Sequence, residues 1–219
     1  MKTRDLIMLG AGGHAAVVAE CAMRAGWRVV AIASREEPTS LRAIADLQEV
    51  EWIGDPDAAD AFTRIERIVR AGAALHAAVG DAATRARWFE RFGGVARFAT
   101  VMDPTAVVST SAVVESGAFL STGAVVHARA RIGEGAIVNT RAVVEHDAVV
   151  GAFAHISPGA IVCGAVRVGA QTQIGAGAVV IPERTVGARS IIGAGSVVVR
   201  DIPDGVVAVG VPARPRSRE

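Results

Sequence analysis

Residues 137–160 read IVNTRA, VVEHDA, VVGAFA, HISPGA when broken into sixes, and that division decides the fold. It extends without a gap from residue 107 to residue 196, through fifteen hexads. The second position is Val, Ile or Leu in every one, and the sixth is Ala in most and small in nearly all the rest. A period of six is neither the 3.6 of an amphipathic helix nor the plain alternation of a hairpin, and turn pairs such as GEG and GAG recur inside the unit. Each hexad is therefore one short strand plus one corner. Three strands close a triangular coil of eighteen residues, so fifteen hexads make five coils, stacked by hydrogen bonds at about 4.8 Å. The aliphatic column lines the interior, and the small sixth residue lets each corner close. The expected fold is an all-β, left-handed parallel β-helix.

A regular solenoid accounts for the aliphatic and alanine columns, but not for position four. There the residues are Ala, Ser, Thr, Pro, Gly or Glu in fourteen hexads and His in one, His146. Asp147 follows it. Histidine accepts a proton near neutral pH, and a neighbouring carboxylate fixes its tautomer. His155 lies nine residues on, half a coil, so within one chain the two histidines fall on different sides of the prism. They can share a site only across a subunit interface. His127, nineteen residues before His146, is one coil plus one position away and could stack on it.

The first hundred residues follow other rules. LIMLGAGGHAAVVAECAMRAG reads as a strand at residues 6–9, a glycine-rich turn, and a helix from about Ala15 to near Gly26. WRVVAIAS is a second strand, residues 73–79 a third and residues 95–99 a candidate fourth, with a helix over TRARWFERFG. Strands alternating with helices imply a small parallel sheet, in effect half of a doubly wound (Rossmann-like) α/β fold. The expected division is a nucleotide-sugar-binding α/β domain at 1–102 and a β-helix domain at 103–219, the latter ending in a tail that leaves the six-residue register from Val206. Pro203 and Gly205 break the last strand, and the tail covers the exposed edge of the end coil. Gly10-Ala11-Gly12-Gly13-His14-Ala15 sits on the first strand-to-helix junction, where glycines let a phosphate approach the backbone and a helix N-terminus supplies N–H donors. One such half favours a nucleotide monophosphate or nucleotide-sugar over NAD. The acidic residue expected after the second strand is missing, since Ser34 and Arg35 stand there.

Hydrophobic residues make up 51% of the 219, aromatics only 4%, and tyrosine is absent, which favours tight repetitive packing. A net charge of +1 offers no electrostatic footprint for nucleic acid or an anionic membrane. Two cysteines far apart, Cys21 and Cys163, suit reduced thiols, and no apolar run suits a signal peptide or a membrane span. A cytoplasmic protein is expected.

GAGGHA at 10–15, AVGD at 78–81, NTRAVVEHD at 139–147, HISPGA at 155–160 and GVPAR at 210–214, together with the hexads, resemble the bacterial nucleotide-aminosugar N-acetyltransferases and the related sialic acid O-acetyltransferases. The resemblance covers essentially the whole chain. It implies a homotrimer with inter-subunit active sites, which moves acetyl from acetyl-CoA to a sugar amine or hydroxyl in cell-surface polysaccharide biosynthesis, with no metal. A UDP-linked 4-amino sugar is the expected acceptor. Residue by residue, it makes His146 the general base and Asp147 the carboxylate that holds its ring. Asn139 becomes an active-site polar residue, His155 a histidine near the thioester, and Gly164 a backbone donor to the thioester carbonyl. Gly10, Gly12, Gly13 and His14 become the nucleotide-sugar loop, joined by Gly80 and Asp81. Gly210 and Arg214 fall to the coenzyme, with Arg216 and Arg218 as further candidates for its phosphates. Two other classes remain open at this stage: a zinc-dependent carbonic anhydrase with interface histidines, and a non-enzymatic trimeric scaffold. His76 is expected to be structural.

Overall fold

The computed structural model describes residues 4–216. The chain divides between Pro104 and Thr105 into two compact units.

The first unit is a parallel sheet with helices. β1 (Arg4–Leu9), α1 (Gly13–Arg24), β2 (Trp27–Ala33), β3 (Glu51–Gly54), α2 (Ala59–Arg70), β4 (Ala74–Ala77) and α3 (Ala82–Phe92) follow in order, and the sheet runs β3-β2-β1-β4. Leu6, Ile7, Met8 and Leu9 are fully buried, as a central strand covered on both faces must be. The chain moves outward from β1 to β3 and then returns to the other side of β1. The carboxyl ends of β1 and β4 therefore flank a topological switch point, where open α/β sheets bind ligands. Two expectations are corrected here. Residues 95–99 form no strand, only an isolated bridge from Phe98 to Leu75. The fourth strand is β3, four residues long, and with α2 it went unnoticed because both lie in a charge-rich stretch. Arg64 of α2 ties the two together, donating to the Ile53 carbonyl at 2.8 Å and to Glu51 at 2.7 Å. α1 also starts two residues earlier than expected, at Gly13.

The second unit is the β-helix. Each hexad contributes a two-residue strand from its first two positions, and each strand pairs in parallel with those eighteen residues away: Val143 lies between Val125 and Ile161, Val144 between Val126 and Val162. Three ladders result. One holds the strands at 107, 125, 143, 161, 179 and 197, a second those at 113, 131, 149, 167 and 185, and the third those at 119, 137, 155, 173 and 191. Position-two residues such as Val126, Ile132, Val144 and Ile156, and the position-six alanines from Ala118 to Ala160, form one continuous core at full burial. Position five turns every corner after the first hexad through the left-handed region. Glycine fills it in six corners and a side-chain-bearing residue in eight others, Arg129 and Asp147 included, both at φ 61°.

The tail leaves the six-residue register and pairs along the edge of the end coil, as expected, but the slip comes earlier and the coil goes on. After Val197–Val198 the chain skips two residues, so that Ile202 bridges to Val186 and Val207 pairs with Ile191, an offset of sixteen where eighteen held before. The coil then continues: Val207–Gly210 adds a parallel strand to the third ladder, and Ala213–Arg216 folds back on it antiparallel. Pro203 and Gly205 thus sit in a corner of the coil and do not end it; Ser190 Oγ donates to the Pro203 carbonyl at 2.8 Å. Cys21 and Cys163 share no disulfide, and among the described residues no helix is long and apolar enough to cross a membrane.

Candidate active site

The corner that follows Val143–Val144 carries His146 and Asp147. The imidazole Nδ1 lies 2.8 Å from Asp147 Oδ2. This contact needs the left-handed turn at Asp147, which swings its carboxylate back toward the preceding side chain. Asp147 has a second partner. Arg129, one coil earlier at the same corner position, donates from Nε to Oδ1 at 2.7 Å and from Nη2 to Oδ2 at 2.8 Å. Arg129 first, and His146 second, hold the Asp147 carboxyl well below the usual carboxylate range. One coil further on, Gly164 sits beneath the ring: a Cβ there would come within 2.8 Å of His146 Cε1 and Nε2. The Nε2 end of the ring therefore lies over Gly164, the one position-four residue among the fifteen hexads without a side chain.

His127 does not stack on His146. Its Nε2 lies 3.8 Å from Glu145 Oε1, because the column eighteen residues apart pairs 127 with 145. Cys163 continues that column, its thiol pushed up by burial and by Glu145. Among the described residues, no three His, Cys, Asp or Glu side chains gather as a metal-ligand set.

Asn139 and His155 come together on the third ladder. Asn139 Oδ1 accepts from the Thr140 N–H at 2.8 Å, which orients the amide so that Nδ2 donates to His155 Nε2 at 3.0 Å. Thr140 Oγ1 in turn lies 3.2 Å from Ser121 Oγ. This pair occupies the face opposite the corner that holds His146, as half a coil of separation requires. Gly210 and Arg214 lie on the terminal hairpin; Gly210 N donates to Ser196 Oγ at 3.0 Å, and Arg214 pairs with Val209 across the hairpin. Arg216 ends the described chain, and Arg218 lies outside the described residues.

In the first unit the glycine-rich turn joins β1 to α1. Gly10 has φ 109°, and a Cβ would strike Val79 Cγ1 at 2.6 Å, so only glycine lets β1 leave the sheet beside β4. Gly12 is the N-cap of α1 with no side-chain cap, and a Cβ on Gly12 or Gly13 would meet nothing within 4 Å. The start of α1 thus leaves room on its glycine side for a ligand to come close to the backbone, as an anion site requires. Asp81 plays a structural part, since its Oδ1 accepts from Thr84 N at 2.8 Å and caps α3. The Gly80 carbonyl accepts from Arg85 Nη1 at 2.7 Å, and Arg85 is only 1% exposed. His14 and His76 lie in the same interior. Burial lowers both to about 4, with smaller contributions from the Arg85 charge at His14 and from His14 and then Arg85 at His76. His76 Nδ1 lies 2.9 Å from the Ala99 carbonyl.

Two clefts open around this loop, of about 240 Å³ and 320 Å³, sharing Ala11, Ser34 and Arg35. The larger continues past Gly12 to Ser40, and the smaller is lined by Asp55, Asp57 and Trp88. Acids reach both clefts: Glu36 and Glu37, just after β2, line the larger, and Asp55, after β3, pairs with Arg35 at 3.4 Å in the smaller. Asp57 accepts from Arg87 at 3.0 Å and from the Trp88 indole at 3.2 Å. Sequence reasoning missed these residues, since β3 itself was missed.

The PglD N-terminal domain matches residues 5–92. PerB from Caulobacter crescentus, solved with CoA and GDP-perosamine, is 35% identical at a TM-score of 0.85, over 97% of each chain. A histidine-to-asparagine mutant of perosamine N-acetyltransferase from the same organism, also with CoA and GDP-perosamine, is 34% identical at 0.86, over 98% of this chain and 97% of that one. The acetyltransferase domain of PglB from Neisseria gonorrhoeae FA1090, in complex with acetyl coenzyme A, is 33% identical at 0.85, over 98% of this chain and 100% of that one. The chain belongs to the nucleotide-sugar N-acetyltransferases. As a member of that family of left-handed β-helix acyltransferases it is an enzyme that uses acetyl-CoA, and the scaffold and carbonic anhydrase alternatives fall away. No curated protein sequence matches it.

Proposed function

We propose that this N-acetyltransferase acylates the amine of a nucleoside-diphosphate-linked 4-amino sugar with His146 as general base. The observation that carries the reading is the imidazole held by Asp147 at 2.8 Å with its other nitrogen over Gly164. The amine attacks the thioester carbonyl carbon, a C–N bond forms, and His146 Nε2 takes the proton the nitrogen must lose. The Gly164 N–H supports the oxyanion of the tetrahedral intermediate. The C–S bond then breaks, and the CoA thiolate leaves and is protonated to the thiol. Asn139 and His155 hold the thioester end of the coenzyme, and Gly210 and Arg214 its remaining length. The turn at Gly10, Gly12, Gly13 and His14 takes the diphosphate, with Gly80 beside it. Asp81 contributes by capping α3. The two clefts around Ser34 and Arg35 take the nucleoside, and GDP-perosamine, bound by the Caulobacter relatives, is the first acceptor to test beside UDP-linked 4-amino sugars. Both substrates belong to the cytoplasm, and so does the enzyme in this reading. The test is thiol release from acetyl-CoA against that panel, wild type beside His146→Ala. No turnover with any acceptor overturns the acceptor class, and equal turnover by both proteins overturns the role of His146.

The reading includes a homotrimer. His146 and His155 stand on opposite sides of one prism, so a neighbour must bring them together. The first ladder offers the contact: its outward first positions, Val107, Val125, Val143, Ile161, Val179 and Val197, are all apolar, and Val107 and Ile161 are 62% and 37% exposed. Ile161→Arg is expected to yield a monomer by light scattering and to abolish transfer. A folded monomer with full activity is the result that refutes the shared site.

A further inference from the structure

We propose that Arg129 is a positioning residue for the reaction, acting on His146 through Asp147; the inference rests on His146 being the base. Arg129 and Asp147 stand one coil apart at the same corner position, and the guanidinium grips both carboxylate oxygens, at 2.7 and 2.8 Å. Asp147 Oδ2 is shared, since it also lies 2.8 Å from His146 Nδ1. The Asp147 N–H is anchored in addition on the Ala128 carbonyl at 3.1 Å.

Two consequences follow. The planar fork fixes the carboxylate plane, and with it the lone pair aimed at the imidazole. It also offsets the carboxylate charge. A bare aspartate beside an imidazole favours the imidazolium and so slows release of the proton, whereas one already paired with a guanidinium orients the ring with a smaller pull. A general base works best when its proton affinity matches the working pH. Arg129 thus separates the orienting role of Asp147 from its electrostatic one. As a staple the pair has little value, because both side chains are largely exposed and such ion pairs contribute at most about 1 kcal/mol. The remaining charged groups around His146 are Glu145, which faces His127, the Cys163 thiol below Glu145, and Glu183, two coils beyond Asp147 at the same corner position. None of them lies between Arg129 and the carboxylate.

The test compares wild type, Arg129→Gln and Arg129→Lys by NMR titration of histidine-labelled enzyme, with His146→Ala identifying the His146 resonance. Arg129→Gln is expected to move the His146 midpoint upward by about half a unit to one unit, the size expected for loss of one exposed neighbouring charge. The acidic limb of the kcat/KM profile moves with it. Arg129→Lys, which keeps the charge and loses the fork, is expected to leave the midpoint in place and to lower kcat several-fold with little change in KM. An unmoved midpoint in Arg129→Gln with a lowered melting temperature shows a mere staple and overturns the proposal. Retained activity in His146→Ala overturns the base assignment instead, while the titration still decides whether Arg129 reaches His146.

Discussion

The protein places histidine beside arginine twice, with opposite results. At the β-helix corner His146 is exposed, and the cation near it, Arg129, is already bound to a carboxylate that also holds the ring. In the first unit, His14 and His76 both feel the charge of the buried Arg85, which rests on the backbone carbonyls of Val79 and Gly80. The first arrangement leaves an exposed imidazole whose ring is held by a carboxylate. The second keeps two imidazoles neutral, because burial disfavours their cations and the nearby guanidinium disfavours them further. Exposure and a carboxylate partner, more than residue type, separate the histidine proposed as the base from one, such as His76, that fills an interior.

The contrast can be broken most directly by truncation. His146→Ala is expected to lower kcat about 10²–10⁴-fold with an unchanged melting temperature. His76→Ala should do the reverse: it removes a buried ring and leaves the Ala99 carbonyl without that partner, destabilising the fold by about 3 kcal/mol. Tryptophan fluorescence reads this cleanly, because Trp27, Trp52 and Trp88 all lie in the first unit. A stable His76→Ala protein breaks the comparison.

Acid titration sharpens it. The unfolded chain has histidines of ordinary affinity, near 6.5, while the folded ones lie at about 4. Between those values the unfolded state binds more protons, so stability rises with pH across the window. The stabilisation is complete above pH 6.5 and is lost as the pH falls toward 4, by about 3 kcal/mol for each histidine. Urea midpoints followed by tryptophan emission should decline over that range in wild type and decline less in a His76→Gln variant.

The smallest expected effect is at Gly164. Gly164→Ala places a methyl against the exposed end of the His146 ring, which can swing aside at little cost to the fold. Activity is expected to fall about tenfold, or about 1.4 kcal/mol in the barrier, with the circular dichroism spectrum unchanged. An unaltered kcat means the ring does not work from its position over Gly164.

Much of the β-helix site was legible because a period of six converts sequence into space. His146 stood out at position four, whereas Asn139 entered only through the resemblance, and its contact with His155 is a finding of the structure. Arg129 was equally legible in columns of eighteen, where it falls one coil before Asp147. The glycine loop was legible from its strand-to-helix setting. Asp55, Asp57 and Trp88 were not, since residues scattered between β3 and α3 converge only when a parallel sheet brings its carboxyl ends together.

The sequence by itself determined the coil, its register and the corner that carries the histidine. It could do so because every contact in a β-helix repeats at eighteen residues, and a one-residue slip would turn the aliphatic column outward. Only the tertiary structure decided that Arg129 and His146 share one carboxylate, that Asp81 is spent on a helix cap, and that Arg85 is buried with its guanidinium on the Val79 and Gly80 carbonyls. Those outcomes depend on side-chain reach and burial at particular places, and no period in the chain encodes them.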